Sequence, residues 1–294
     1  MEKLPLGESG VLVSQMGLGT NAWGRSGRPR PELRDVFSAA LSEGIALLDT
    51  AEIYAGGGSE LTLGAFLSEL NAGVRPAVLS KFFPMPWRLR QTQLADALRR
   101  SLDRLGMACL DVYLIHFPWG PRSIETWLGA LADACHAGLV RAVGVSNFNA
   151  SQVRRAHGAL ASRGIPLACN EVELSLARRG AERNGTLEVC RELGVGVIAY
   201  RPLALGRLVS ARADPAHTWR KFRAAGMPTG ARGVIEEIAR SRGKTPAQVA
   251  LNWVICKGAL PIPGATSVSH LKENVGAAGW QLSEGEMRAL DARG

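Results

Sequence analysis

Two rhythms of apolar residues alternate along this chain. Short runs with little polar interruption fall at residues 16–18, 46–48, 78–79, 112–115, 143–145, 167–169, 197–199 and 260–262. Between them, apolar residues return at helical spacing. Leu33, Val36, Phe37 and Ala40 make one such stripe, and Leu63, Phe66, Leu67 and Leu70 a second. Leu94, Leu98, Leu102 and Leu105 make a third, Ile124, Trp127, Leu128 and Leu131 a fourth, and Val153, Ala156 and Leu160 begin a fifth. A 3.6-residue period marks one buried face of a helix. A short run that is apolar at every position marks a strand covered on both faces, as in a parallel sheet. Eight strand-then-helix units in 294 residues predict a closed (β/α)8 TIM barrel and not an open doubly wound sheet.

Several boundaries are marked by chemistry. Thr245-Pro246-Ala247-Gln248 is a capping box with proline at the first helical position. Ser283-Glu284-Gly285-Glu286 is another, opening an extra C-terminal helix. Ahead of the first unit, residues 4–13 read as a hairpin able to plug the bottom of the barrel. Residues 201–230 carry Pro, Gly and many Arg without clean periodicity, and a loop of that length in a compact fold is usually functional. No linker composition divides the chain, so one domain over residues 1–294 is expected.

Composition narrows the class. The chain is 46% hydrophobic, enough for a large core, yet no apolar stretch approaches the roughly 20 residues of a membrane-spanning helix. Met1-Glu2-Lys3-Leu4-Pro5 is followed by no long apolar segment, which argues against a secretory signal. Five dispersed cysteines read as reduced thiols, so a cytoplasmic location is expected. The net charge of +9 raises nucleic-acid binding, but the arginines are spread over nearly every helical stretch. Solvated helix faces with some attraction for an anionic small molecule account for them better, with neither a nucleic acid nor a membrane as partner. No repeated apolar surface stripe demands a second copy, so a monomer is expected.

The candidate chemistry lies where the apolar runs end. One run ends at Asp49, with Tyr54 a short loop later; others end at Lys81, at His116 and at Ser146-Asn147. Parallel strands in a barrel bring their C-terminal ends to one mouth. A phenol, with an ordinary pKa of about 10, is a poor acid at neutral pH, and an adjacent ammonium lowers that value. Lys81 is expected to supply the ammonium and Asp49 to pair with it, because an unpaired buried lysine is costly. His116 is expected to orient a substrate oxygen. Each residue alone has an ordinary structural explanation; their conjunction at successive strand ends points to general-acid chemistry.

Asp49-Thr50-Ala51-Glu52-Ile53-Tyr54, Lys81 after a strand, Leu114-Ile115-His116, Gly144-Val145-Ser146-Asn147-Phe148 and Ile262-Pro263-Gly264-Ala265 resemble the aldo-keto reductase family over nearly the whole chain. The resemblance implies an NADPH-dependent oxidoreductase that reduces aldehydes and ketones, with NADP(H) as cofactor and a small-molecule carbonyl as partner. It implies a catalytic tetrad of Asp49, Tyr54, Lys81 and His116, with Tyr54 as proton donor. For the cofactor it implies Gly19, Thr20 and Asn21, and Ser146 and Asn147 at the nicotinamide carboxamide. It implies Tyr200 as the stacking ring, and Pro202, Leu203, Gly206 and Arg207 at the pyrophosphate. Gly264, Thr266, His270, Glu273 and Asn274 match the adenosine end.

Three departures from the family pattern stand out. Glu171 occupies a position where the family usually has glutamine, and a carboxylate cannot donate to the carboxamide oxygen. Arg201 replaces a serine and is expected either to contact phosphate or to pair with Glu171. No Lys or Arg adjoins Thr266, and the charge for a 2′-phosphate is expected from residues 219–223. Trp23, Trp87 and Trp119 each follow a strand end and are expected to wall a substrate pocket suited to an apolar or aromatic carbonyl. Two other readings compete: an aldolase or isomerase with Lys81 as Schiff-base amine, and a catalytically minor NADP(H)-binding regulatory subunit of the same fold.

Overall fold

A computed structural model of the chain describes residues 1–24, 31–70, 75–204 and 231–293. Eight parallel strands form one sheet: β3 (Leu18–Gly19), β4 (Leu47–Asp49), β5 (Ala77–Phe82), β6 (Leu110–Ile115), β7 (Val140–Ser146), β8 (Leu167–Glu173), β9 (Gly196–Tyr200) and β10 (Ala259–Pro261), paired in sequence order. Each strand falls on one of the apolar runs. The sheet closes on itself through its first and last strands. The Gly17 amide donates to the Pro261 carbonyl at 3.0 Å and the Gly19 amide to the Pro263 carbonyl at 3.2 Å, with a further parallel bridge between Gly19 and Gly264. The seam requires glycine at position 19, where a Cβ would stand 2.9 Å from the Ile262 carbonyl oxygen.

Helices cover the outside of this sheet: α1 (Pro31–Ser42), α2 (Gly58–Leu67), α3 (Thr92–Leu105), α4 (Ile124–His136), α5 (Ala150–Ala161), α6 (Gly180–Arg183), α7 (Thr186–Glu192), α8 (Ala231–Arg242), α9 (Pro246–Cys256), α10 (Val268–Val275) and α11 (Glu284–Asp291). The stripe Leu94, Leu98, Leu102 and Leu105 is the buried face of α3. Each such leucine contributes about 1.5–3 kcal/mol on burial. Helix α3 stops at Gly106, whose φ of 65° lies in the left-handed region. The two capping boxes form as expected, Thr245 with Gln248 at the start of α9 and Ser283 with Glu286 at the start of α11.

The N-terminal hairpin pairs β1 (Lys3–Pro5) with β2 (Leu12–Ser14) in antiparallel register. Its Leu6, Val11 and Val13 join Leu47, Leu79, Val112, Leu114, Ile198 and Ile262 in the barrel interior, so the hairpin is the expected plug. Gly7 makes this fit possible: its φ is 55°, and a Cβ there would lie 2.4 Å from the Ala168 carbonyl oxygen. With the bottom plugged and the interior filled by side chains, the C-terminal mouth is the open end. Among the described residues no helix is long and apolar enough to cross a membrane, and all five cysteines are free thiols.

Candidate active site

Register brings the strand-end residues together. Gly19 pairs with Asp49, Asp49 with Leu79, Lys81 with Leu114, Ser146 with Glu171, and Glu173 with Tyr200. Thr20, Thr50 and Ser59 pin the first two strand ends to the start of α2. The Thr20 hydroxyl donates to the Asp49 carbonyl at 2.7 Å, and Ser59 Oγ lies 2.8 Å from Thr20 Oγ1 and 2.9 Å from Thr50 Oγ1. Tyr54 then enters a turn in which Ala55, Gly56 and Gly57 all have positive φ, 52°, 64° and 94°. That left-handed run is costly for Ala55 and turns the chain directly into α2 behind Tyr54.

Lys81 is the centre of the site and is completely buried. Its ammonium pairs with the Asp49 carboxylate, donates to the Thr50 carbonyl at 3.0 Å, and stands 3.4 Å from Tyr54 Oη and 3.2 Å from Glu171 Oε2. The two carboxylates hold the Lys81 pKa above its ordinary value against the desolvation that lowers it. Sequence reasoning expects Lys81 to bring the Tyr54 pKa down, but the net shift is upward. Burial of the phenol is the largest effect and outweighs the attraction of Lys81, while Asp49 and Glu171 add to the rise. Tyr54 therefore keeps its proton throughout the neutral range.

His116 follows β6 directly, its amide donating to the Phe82 carbonyl at 2.9 Å. Its ring lies edge-on to Tyr54, centroids 6.0 Å apart, and stacks on Phe117 at 4.9 Å. Burial, aided by the Lys81 charge, pushes its pKa down to about 2, so the imidazole is neutral. Its Nδ1 is buried with no hydrogen-bond partner among the described residues. A neutral imidazole with an unpartnered nitrogen beside a protonated phenol is suited to receive a polar ligand atom.

Ser146 and Asn147 form a hydrogen-bonded arch next to His116. Ser146 donates to the Glu171 carbonyl, while Asn147 Nδ2 donates to the His116 carbonyl and to Ser146 Oγ, all at 3.0 Å. Tyr200 donates to Asn147 Oδ1 at 2.8 Å. Asn147 has a φ of 63°, a conformation asparagine tolerates better than most residues. The helix cap at α5 falls to Asn149 in a capping box with Gln152, which leaves Ser146 and Asn147 at the mouth. A cavity of about 460 Å³ adjoins the arch, lined by Asn147, Asn149, Glu173, Arg178, Arg183 and Tyr200 among others.

Several expectations are corrected. Glu171 does not pair with Arg201: Glu171 faces inward onto Lys81, and Arg201 pairs instead with Glu173 at 3.5 Å. Residues two apart on a strand share a face, so Glu173 occupies the layer above Glu171, nearer the mouth, and meets Arg201 first. Trp23 is no pocket wall. It is 0% exposed, packs edge-on to Phe66, and its indole donates to the Ala265 carbonyl at 3.1 Å. Thr20 is likewise fully buried with its hydroxyl committed to Asp49, and Gly19 serves the seam. Thr20 thus supports the site from behind, while Gly19 is half-buried.

The remaining positions lie around the mouth. Asn21 is exposed there. Tyr200 is followed by Arg201, Pro202, Leu203 and Ala204, a tight turn in which Arg201 and Ala204 have φ values of 50° and 49°. Gly264 and Thr266 lie between the seam and α10; His270, Glu273 and the buried Asn274 lie on α10, with Ser267 spent as its cap. Gly206, Arg207 and residues 219–223 fall outside the described residues.

Sequence reasoning missed two aromatic side chains, Phe83 and Phe117, beside the expected Trp119. Phe83 and Phe117 flank His116, and Trp119 closes the cluster 5.3 Å from Phe83 and 5.1 Å from Phe117. Trp119 and Trp87 are 48% and 68% exposed at the rim. Arg88 holds the Trp87 turn by a two-pronged contact with Glu52 at 2.6 and 2.9 Å, and Glu52 also accepts from the Phe83 amide. Phe83 and Phe117 stand directly after Lys81-Phe82 and after His116, and proximity to those strand ends was the signal available.

Comparison with known proteins agrees with this fold. The sequence profile of the aldo/keto reductase family matches residues 15–293, and the chain belongs to that family. It is 38% identical over 315 residues to the chloroplastic pyridoxal reductase of Arabidopsis thaliana, spanning 96% of this chain and 83% of that protein. It is 29% identical to the probable aldo-keto reductase 1 of Glycine max, over 99% of this chain and 88% of that protein. The crystal structure of an aldo/keto reductase from Klebsiella pneumoniae in complex with NADP and acetate superposes with a TM-score of 0.81. It is 31% identical, and the match covers 99% of this chain and 95% of that one.

Proposed function

We propose that this protein is an NADPH-dependent reductase of aromatic aldehydes in which Tyr54 is the proton donor. The observation that carries the reading is the single ammonium of Lys81, 3.4 Å from Tyr54 Oη, beside a neutral His116 with an unpartnered Nδ1. The mouth residues suit a nicotinamide cofactor. His116 Nδ1 has no hydrogen-bond partner among the described residues, Glu171 Oε2 meets only the Lys81 ammonium there, Tyr200 offers a ring at the strand end, and Ser146 and Asn147 offer a hydroxyl and an amide. When bound, the reduced nicotinamide supplies hydride to a carbonyl carbon.

The chain's own residues do the rest. His116 hydrogen-bonds the carbonyl oxygen and holds it toward Tyr54. Tyr54, kept protonated by burial, delivers its proton as the oxygen becomes an alkoxide, a far stronger base than a phenolate. Lys81 stabilises the phenolate left behind, a charge that exists only after transfer begins. Asp49 keeps Lys81 charged, which disfavours the rival Schiff-base reading, since that chemistry needs a neutral amine. Proton donation of this kind supplies typically ~10²–10⁴ in rate.

The substrate class rests on the aromatic cluster of Phe83, Phe117 and Trp119 around His116 and on similarity to a pyridoxal reductase. Flat rings of that kind suit a planar aldehyde. The test is steady-state oxidation of NADPH with pyridoxal, other aromatic aldehydes and short aliphatic aldehydes. Turnover with a preference for the aromatic members is the expected result. Tight NADPH binding with no turnover on any aldehyde would instead favour the regulatory-subunit reading.

A further inference from the structure

Glu171 is the feature of the site that the mechanism above does not use. It is 2% exposed, its Oε2 has no hydrogen-bond partner among the described residues, and it approaches Lys81 only to 3.2 Å, whereas Asp49 is in direct hydrogen-bonded contact with the same ammonium. The Asp49 and Glu171 carboxyl groups both face the one ammonium of Lys81. Two buried carboxylates beside one ammonium carry a net negative charge, and such a pair holds a proton more tightly than either group alone. Asp49 has the better contact with Lys81, so the proton resides on Glu171.

We propose that Glu171 is a titrating specificity residue: as an acid it stands in for an amide at the nicotinamide subsite, and as a carboxylate it turns the site toward the cationic, oxidised cofactor. This rests on the cofactor reading above. A protonated carboxyl has the shape of a glutamine side chain and one donor hydrogen. The deprotonated group places a negative charge at the base of the mouth, which attracts oxidised nicotinamide and has no such attraction for the neutral reduced ring.

Of the groups around Glu171, Lys81, Tyr54, His116 and Cys169 keep one protonation state in the mildly alkaline range. Lys81 on β5 faces it and stays charged, and Asp49 at the end of β4 is raised by burial, a rise its direct contact with Lys81 opposes. Tyr54 keeps its proton and His116 stays neutral. Cys169 on the same strand is held protonated by burial. Ser146 on β7 adds no titrating group. Burial together with Asp49 pushes the Glu171 pKa up to about 8.

The test measures Kd for NADP⁺ and for NADPH by fluorescence at about pH 6.5 and about pH 9, and takes their ratio. The 2′-phosphate, common to both nucleotides, cancels in that ratio. The preference for NADP⁺ over NADPH is expected to rise at least about fivefold across this range in the intact protein and to stay flat in Glu171→Gln, in keeping with proton linkage at one site. Infrared spectra of the protein without nucleotide give a second readout. A protonated-carboxyl stretch present near neutral pH is expected to vanish in alkali and to be absent in Glu171→Gln. A ratio independent of pH in the intact protein, or one that still climbs in Glu171→Gln, overturns the proposal while leaving the reductase reading in place. Failure of both nucleotides to bind at any pH removes the reductase reading and this inference with it.

Discussion

The Lys81 ammonium stands 3.4 Å from the Tyr54 hydroxyl while also serving two carboxyl groups, those of Asp49 and Glu171. One positive charge thus holds the buried electrostatics of the site together. Replacing it with an apolar side chain of similar length leaves Asp49 and Glu171 without a cation. Lys81→Met is predicted to cost about 3–5 kcal/mol of stability, as removal of one partner of a buried pair does. Urea unfolding near neutral pH measures this, and an unchanged midpoint would show that the trio is not energetically coupled.

His116 sets an acid-side limit on stability. Its folded pKa, near 2, lies below the ordinary imidazole value of 6.5. As pH falls below 6.5 the unfolded chain binds a proton that the folded protein refuses, so stability is intact above that value and declines toward pH 2. From about pH 6.5 to about pH 4 the loss due to this group is about 3 kcal/mol. His116→Gln should therefore be less acid-sensitive than the parent when unfolding free energies are compared over that interval. Parallel acid titration curves for the two proteins would contradict the account.

The two tryptophans following the first and fourth barrel strands should behave oppositely. Trp23 is wholly buried against Phe66 and tied to Ala265, so Trp23→Ala is expected to lower stability by about 3–5 kcal/mol. Trp119 is half-exposed beside Phe83 and Phe117. Trp119→Ala is expected to leave the thermal midpoint nearly unchanged and to raise KM for aromatic aldehydes more than for aliphatic ones. Equal loss for both aldehyde classes would remove Trp119 from the substrate wall.

Much of this architecture is legible in the chain because barrel periodicity is local. An unbroken apolar run, a helical stripe and a capping box are each written within a dozen residues. The same holds for Asp49, Lys81 and His116, since a strand end is where a parallel barrel exposes polar groups. What escapes is depth. Trp23 and Trp119 both follow strand ends, and only the fold decides that one is sealed beneath the mouth and the other lines it. The partner of Glu171 escapes for the same reason: Glu171 and Glu173 share a face of β8 one layer apart, and the layer determines which cation each one meets. The rise in the Tyr54 pKa was hidden because burial, not the adjacent ammonium, is the larger effect.

In the proposed mechanism Tyr54 gives the proton. Tyr54→Phe removes one oxygen and leaves the ring, so the nucleotide should bind with nearly unaltered affinity. Single-turnover oxidation of bound NADPH by pyridoxal or another aromatic aldehyde, compared between the parent protein and Tyr54→Phe, measures the step itself. The account predicts a fall of about 10²-fold or more in that rate with Kd for NADPH little changed. A single-turnover rate equal to that of the parent would contradict it.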